Sequence, residues 1–139
     1  MAKAYYSKFK KLSGTNYGDV HKKAFSLYTQ IEKKSKRRAY LRSAYFKKDK
    51  IFLGIFWHHL GDKFSHKEKL RRLKFYPCAL DLIKNSRFDP ESKENVDKKS
   101  EILHRFTGIT SDNEIFFVQI KENKTNNHKY LVSIFPMGR

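Results

Sequence analysis

Hydrophobic positions change their period along the chain. Val20, Ala24, Leu27, Tyr28 and Ile31 fall at spacings of four, three, one and three, which is one face of a helix. They predict an amphipathic helix from Asp19 to about Lys34, with Asp19 as its N-cap. Residues 51–60, IFLGIFWHHL, are the most hydrophobic run and predict a core helix ended by Gly61 and Asp62. SHKEKLRRLKF, residues 65–75, opens on a Ser with Glu68 three places on, the pattern of a capping box. Pro77 then opens CALDLIKN, a short buried helix begun at a favourable proline. Residues 86–100 are polar, carry Pro90 and predict a mobile connection.

Beyond residue 100 the period becomes two. Residues 102–110, 114–122 and 129–137 are rich in Ile, Val, Phe, Tyr and Thr and predict three strands. A tight turn at Ser111–Asn113 and an Asn-rich loop at 123–128 would join them into an antiparallel meander. Alternation sorts their faces. Phe116, Val118 and Ile120 share one, and Tyr130, Val132 and Ile134 another. On the first strand Ile102, His104 and Phe106 oppose Leu103, Arg105 and Thr107. A polar face would then gather Gln119, Lys121 and Ser133 with either His104 or Arg105, according to register. The expected fold is α+β: N-terminal helices packed on one face of a C-terminal antiparallel sheet of three to four strands. Its expected organisation is a basic arm over residues 1–18, able to order on a partner, and a single domain over 19–139.

Charge adds a direction to this layout. The chain carries 31 Lys and Arg against 14 Asp and Glu, a net of +17 over 139 residues. Residues 1–50 hold +12 of it, residues 51–100 hold +4, and residues 101–139 hold +1. Such a field is tolerated most easily beside a polyanion. Nucleic acid is the expected partner, RNA ahead of DNA. Residues 33–50, KKSKRRAYLRSAYFKKDK, are the densest basic stretch and contain threaded aromatics. Phosphate contacts are expected from Lys33, Lys34, Lys36, Arg37, Arg38, Arg42, Lys47 and Lys48, with Arg71 and Arg72 beyond. Tyr40 and Tyr45, like Tyr5 and Tyr6, lie among these cations and suit stacking on unpaired bases. Gln119 adds a polar contact on the sheet.

Other chemistry is bounded by what the sequence lacks. A lone cysteine, Cys78, allows no internal disulfide and points to the cytoplasm as the default compartment. No run reaches the roughly 18 apolar residues of a membrane span, and residues 1–14, MAKAYYSKFKKLSG, lack the apolar middle expected of a signal peptide. His58, His59 and His66 lack a cysteine partner or zinc-type spacing. The six glycines are scattered, so no phosphate-cradling loop exists and an NTPase is excluded. No metal and no cofactor is expected.

The sheet residues suggest RNA cleavage. Attack of a ribose 2′-hydroxyl on the adjacent phosphate needs a base, an acid and a cation for the phosphorane. His104, Arg105, Lys121 and Ser133 are residues of suitable type. The blocks RSAYF, RRLKFYPCALDLIKNSRF, EILHRFTGI and FFVQIKEN, with the terminal SIFP strand, resemble the barnase/EndoU/colicin/RelE-like superfamily of small nucleases and related small basic bacterial proteins. Many of these are toxins or proteins of phages and mobile elements. The resemblance spans residues 37–136. It implies metal-independent ribonuclease activity, with His104, Arg105, Lys121 and Ser133 at the matching positions. The alternatives are a non-catalytic ribonucleoprotein component, and an accessory protein whose charge is masked by an acidic partner such as an antitoxin.

Overall fold

The computed structural model describes residues 3–138, and of residues 62 and 63 the backbone alone. In chain order the elements are β1 (Ala4–Tyr6), α1 (Tyr17–Lys34), β2 (Tyr40–Arg42), β3 (Lys50–Phe52), α2 (Gly54–Lys63), α3 (His66–Leu73), α4 (Tyr76–Asn85), β4 (Glu91–Asn95), β5 (Lys98–Ile109), β6 (Ile115–Asn123) and β7 (Lys129–Pro136).

The sheet is larger than the three to four antiparallel strands expected, and it is mixed. The described strands form one curled, seven-stranded mixed sheet in the order β1-β5-β6-β7-β3-β2, with β4 also on β5. Helix and strand contents are about equal. The β5–β6–β7 meander is antiparallel, as its alternation predicts. Two parallel joints, β1 to β5 and β3 to β7, bring in strands from the N-terminal half. These added strands are three residues long, or polar in the case of β4. Three residues are too few to display a period, and an edge strand needs no apolar alternation to be hydrogen-bonded by its neighbour.

Local signals explain most helix ends. Asn16, rather than Asp19, caps α1: its side chain accepts from the Asp19 N–H at 3.2 Å, and Asp19 then lies in the first turn, where the helix dipole favours a carboxylate. The run 51–60 divides. Ile51 and Leu53 are fully buried, Phe52 turns to the other side of β3, and α2 starts only at Gly54 and continues through Gly61. Short apolar runs do not separate strand from helix by period alone. Ser65 accepts from the Glu68 N–H at 3.3 Å, half of the predicted box. The Glu68 carboxylate turns away to Arg71 and Arg72. Buried residues line α4 from Tyr76 to Ile83, as befits a helix at the centre of a core. Cys78 is buried there with its Sγ 3.4 Å from the Phe9 carbonyl.

One face of the sheet closes on this core through Ile51, Leu131, Ile120, Val118, Phe116, Ile134 and Phe106. Gly108 faces Phe116 across the β5–β6 pair, and the aromatic ring fills the space a side chain would need. A bulge displaces the expected face of β7. Ser133 pairs with Gln119, but Leu131 pairs with Ile120, which leaves Val132 as the extra residue. Tyr130 therefore joins Ser133 and Phe135 on the outer face, and not Val132 and Ile134. No helix among the described residues is long and apolar enough to cross a membrane.

Candidate nucleic-acid interface

The outer face of the sheet carries polar and aromatic residues in register rows. Tyr40 on β2 pairs with Phe52 on β3, Phe52 with Tyr130 on β7, Tyr130 with Lys121 on β6, and Lys121 with Leu103 on β5. The row thus crosses five strands. The ring centroids of Tyr40 and Phe52 are 6.4 Å apart, and those of Phe52 and Tyr130 are 5.8 Å apart. Cations sit over each ring: Lys50 at 4.7 Å and Arg42 at 5.5 Å from Tyr40, Arg38 at 4.0 Å from Phe52, and Lys121 at 5.5 Å from Tyr130. Such distances are within the range of cation–π attraction.

A groove of about 610 Å³ opens beside the row, lined by Lys34, Lys36, Arg37, Arg38, Tyr40, Lys50 and Phe52. Seven adjacent residues without one carboxylate make it a strong trap for anions. A smaller hollow of about 290 Å³ continues past Phe52 to His58 and Tyr130. In the β6–β7 loop, immediately before β7, His128 lies near Phe52 and Tyr130, its ring centroid 5.8 and 6.4 Å away.

A second row runs Ser133–Gln119–Arg105–Glu91 across β7, β6, β5 and β4. Arg72 donates to the Ser133 hydroxyl at 3.1 Å. Its guanidinium also lies over Phe64 and Phe135, 4.0 and 5.5 Å from their centroids. Glu68 holds that guanidinium through a 2.7 Å ion pair at Arg72 Nε and also takes Arg71. Burial works against the Glu68 charge, but the two arginines outweigh it and lower its pKa.

The register settles which strand residue joins the polar face. Arg105 does, together with Gln119, Lys121 and Ser133. His104 points to the covered side, where it is 8% exposed. There its Nε2 lies 2.8 Å from Glu122 and its Nδ1 2.6 Å from the Ser92 hydroxyl, and the Phe46 ring packs edge-on at 5.1 Å. The four residues of the sequence-based cleavage set do not converge on one site.

The basic stretch is likewise divided. Lys34, Lys36, Arg37, Arg38, Tyr40 and Arg42 gather along the outer face, and Lys33 is exposed at the end of α1. Lys47 and Lys48 sit in the β2–β3 turn with positive φ of 55° and 71°. Tyr45 packs edge-on to Phe46 and Phe106, and burial raises its phenol pKa. Tyr5 turns inward to hydrogen-bond Asp81 at 3.1 Å. His66 stacks on Tyr17, 5.2 Å between centroids, away from His58.

Sequence reasoning missed Lys50, Phe52, His128 and Tyr130. Phe52 was hidden in a run that reads as core, although Lys50, Ile51, Phe52 and Leu53 do alternate. Tyr130 was assigned to the wrong face because a bulge has no signature in the pattern. No family model matches this chain, nor does any curated protein or solved structure.

Proposed function

We propose that the outer sheet face is an RNA-binding surface, gripped along one side by the basic groove of Lys34, Lys36, Arg37, Arg38 and Lys50. The observation that carries this reading is the row Tyr40–Phe52–Tyr130–Lys121, in which three neighbouring, half-buried rings each lie under at least one cation. Aromatics supply base stacking at about 1–3 kcal/mol per base, and lysine and arginine supply the salt-dependent phosphate term. RNA is favoured over DNA because folded RNA presents unpaired bases in loops and bulges.

Cleavage is a second reading, favoured by Arg105, Lys121 and Ser133 sharing that face. In this reading His104 is a support of the sheet, and the imidazole of the reaction is His128, beside Tyr130. A base accepts the 2′-hydroxyl proton, O2′ attacks phosphorus, the P–O5′ bond breaks, and the leaving oxygen takes a proton. The products are a 2′,3′-cyclic phosphate and a 5′-hydroxyl.

Both readings are tested by titrating labelled RNA in EDTA over a range of salt and inspecting its ends. Tight binding with a steep salt slope supports the surface. Cyclic-phosphate ends that vanish in His128→Ala but persist in His104→Ala support cleavage. Binding with intact RNA leaves the non-catalytic component. Salt-insensitive binding, or preference for an acidic protein over RNA, overturns the surface.

A further inference from the structure

We infer that this surface takes an unpaired strand, laid across the β-strands rather than along them, and that its footprint is about four nucleotides. The inference rests on the RNA-binding reading and narrows it to a substrate class.

Rings and cations match along the row. Tyr40, Phe52 and Tyr130 stand on three neighbouring strands, one ring each. Neighbouring strands are roughly 4.8 Å apart, and the side chains lean so that the centroids are 6.4 and 5.8 Å apart. A single nucleotide strand repeats one flat base and one phosphate per residue. The row repeats one flat ring and at least one cation per strand: Lys50 and Arg42 with Tyr40, Arg38 with Phe52, Lys121 with Tyr130. One row further on, Arg105 pairs with Gln119 and Glu91, and Arg72, held by Glu68, reaches Ser133 from α3.

In the free protein these cations cover the rings. A base arriving over Phe52 takes the position of the Arg38 guanidinium, which is then released toward the neighbouring phosphate. Each ring face changes from cation–π contact to base stacking while its cation gains a phosphate. A duplex cannot make this exchange, because its bases are stacked on each other and only its backbone meets the protein. It would touch the cations and leave the rings bare. The rings are partly exposed, as a stacking platform requires; none is fully buried.

The direction of the strand follows from the charge at both ends of the row. The groove of Lys34, Lys36, Arg37 and Arg38 receives one end. Lys121, which also lies 3.5 Å from Glu101, and Arg105 stand at the other. Along β7, by contrast, Ser133 and the bulge separate Tyr130 from the next outer ring, Phe135, which packs on Phe117 at 5.3 Å under the Arg72 guanidinium, so the spacing of one ring per strand is not continued in that direction.

The test measures fluorescence anisotropy for labelled oligouridylates of two to ten residues, and for a blunt RNA duplex of comparable charge. Affinity is expected to rise steeply up to about four residues and only slowly after that. The single strand is expected to bind at least tenfold more tightly than the duplex. Phe52→Leu, Tyr130→Leu and Tyr40→Leu, each of which keeps apolar bulk, should shrink that ratio to below threefold. A melting curve of each variant checks its fold, and Tyr40→Leu, on the edge strand β2, decides the question if the other two unfold. Equal affinity for single strand and duplex, with the ratio unmoved in the variants, overturns this inference and leaves a phosphate-gripping surface. No salt-dependent affinity for either RNA overturns the RNA-binding reading itself.

Discussion

His104 Nε2 lies 2.8 Å from a carboxylate oxygen of Glu122 on the covered side of the sheet. A carboxylate only accepts, so Nε2 carries a proton toward Glu122, and Nδ1 shares a hydrogen bond with the Ser92 hydroxyl at 2.6 Å. The other Glu122 oxygen is 3.8 Å from Lys129, which in turn pairs with Asp49 at 2.9 Å. One chain of polar contacts therefore ties β4, β5, β6, β7 and the β2–β3 turn together. His104→Ala breaks it and is expected to cost about 1–3 kcal/mol, read from urea denaturation, with RNA affinity retained. Its neighbour should behave in the opposite way. Arg105→Ala is expected to change stability by less than about 0.5 kcal/mol and to reduce the salt slope of RNA binding by about one. A stable His104→Ala protein without RNA affinity would reverse the assignment of faces.

Gly108 is required by its partner strand. A Cβ at this position would lie 2.3 Å from Phe116 Cζ, and Phe116 is itself fully buried and stacked on Phe75 at 5.6 Å. The ring has no free space to move into. Gly108→Ala is therefore expected to destabilise by about 1–3 kcal/mol, as overpacking does. A thermal melt equal to that of the parent would contradict it.

Asp81 pins the N-terminal arm to α4. Its carboxylate accepts from the Ser7 hydroxyl at 2.8 Å, the Tyr5 hydroxyl at 3.1 Å, the Lys8 N–H at 3.3 Å and the Asn85 amide at 2.7 Å. Burial, and then the Asp81 hydrogen bond and charge, push the Tyr5 pKa up from 10.0 to about 12. A raised value favours the protonated fold. Its stabilisation is complete below the unfolded value of 10.0 and is lost as pH rises through about 12. In Asp81→Ala, Tyr5 should titrate lower, followed by phenolate absorbance, and residues 4–9 should exchange amide hydrogens faster. Unchanged titration would show that burial alone sets it.

Glu101 gives the opposite pH sign. Burial raises its pKa, but Lys121, Asn95 and Lys98 outweigh burial and lower it below 4.5. Its stabilisation is thus present above the unfolded value of 4.5 and lost as pH falls through the depressed folded value. Glu101→Gln is expected to lower stability at neutral pH and to flatten the acid limb of the stability curve. An acid limb as steep as the parent's would assign the effect to other carboxylates.

Amino-acid order alone determined the elements whose period is long enough to display. The face of α1 through Val20, Ala24 and Ile31, the cap at Ser65, the proline start of α4 and the β5–β6–β7 meander all follow from local spacing and local hydrogen bonds, which need no distant partner. The +17 charge and its concentration before residue 50 are likewise properties of the chain. The candidate surface was only half legible for the same reason: Arg38 and Tyr40 announce themselves among cations, while Phe52 reads as core and Tyr130 as the wrong face. Tertiary structure decided the rest. Three-residue strands acquire their identity from the neighbour that hydrogen-bonds them, the parallel joint of β3 to β7 sets Phe52 beside Tyr130, and one extra residue at Val132 turns Tyr130 outward. Pairing register is a long-range property, and a shift of one residue exchanges the two faces of a strand. That is why Arg105 meets the open surface and His104 the core.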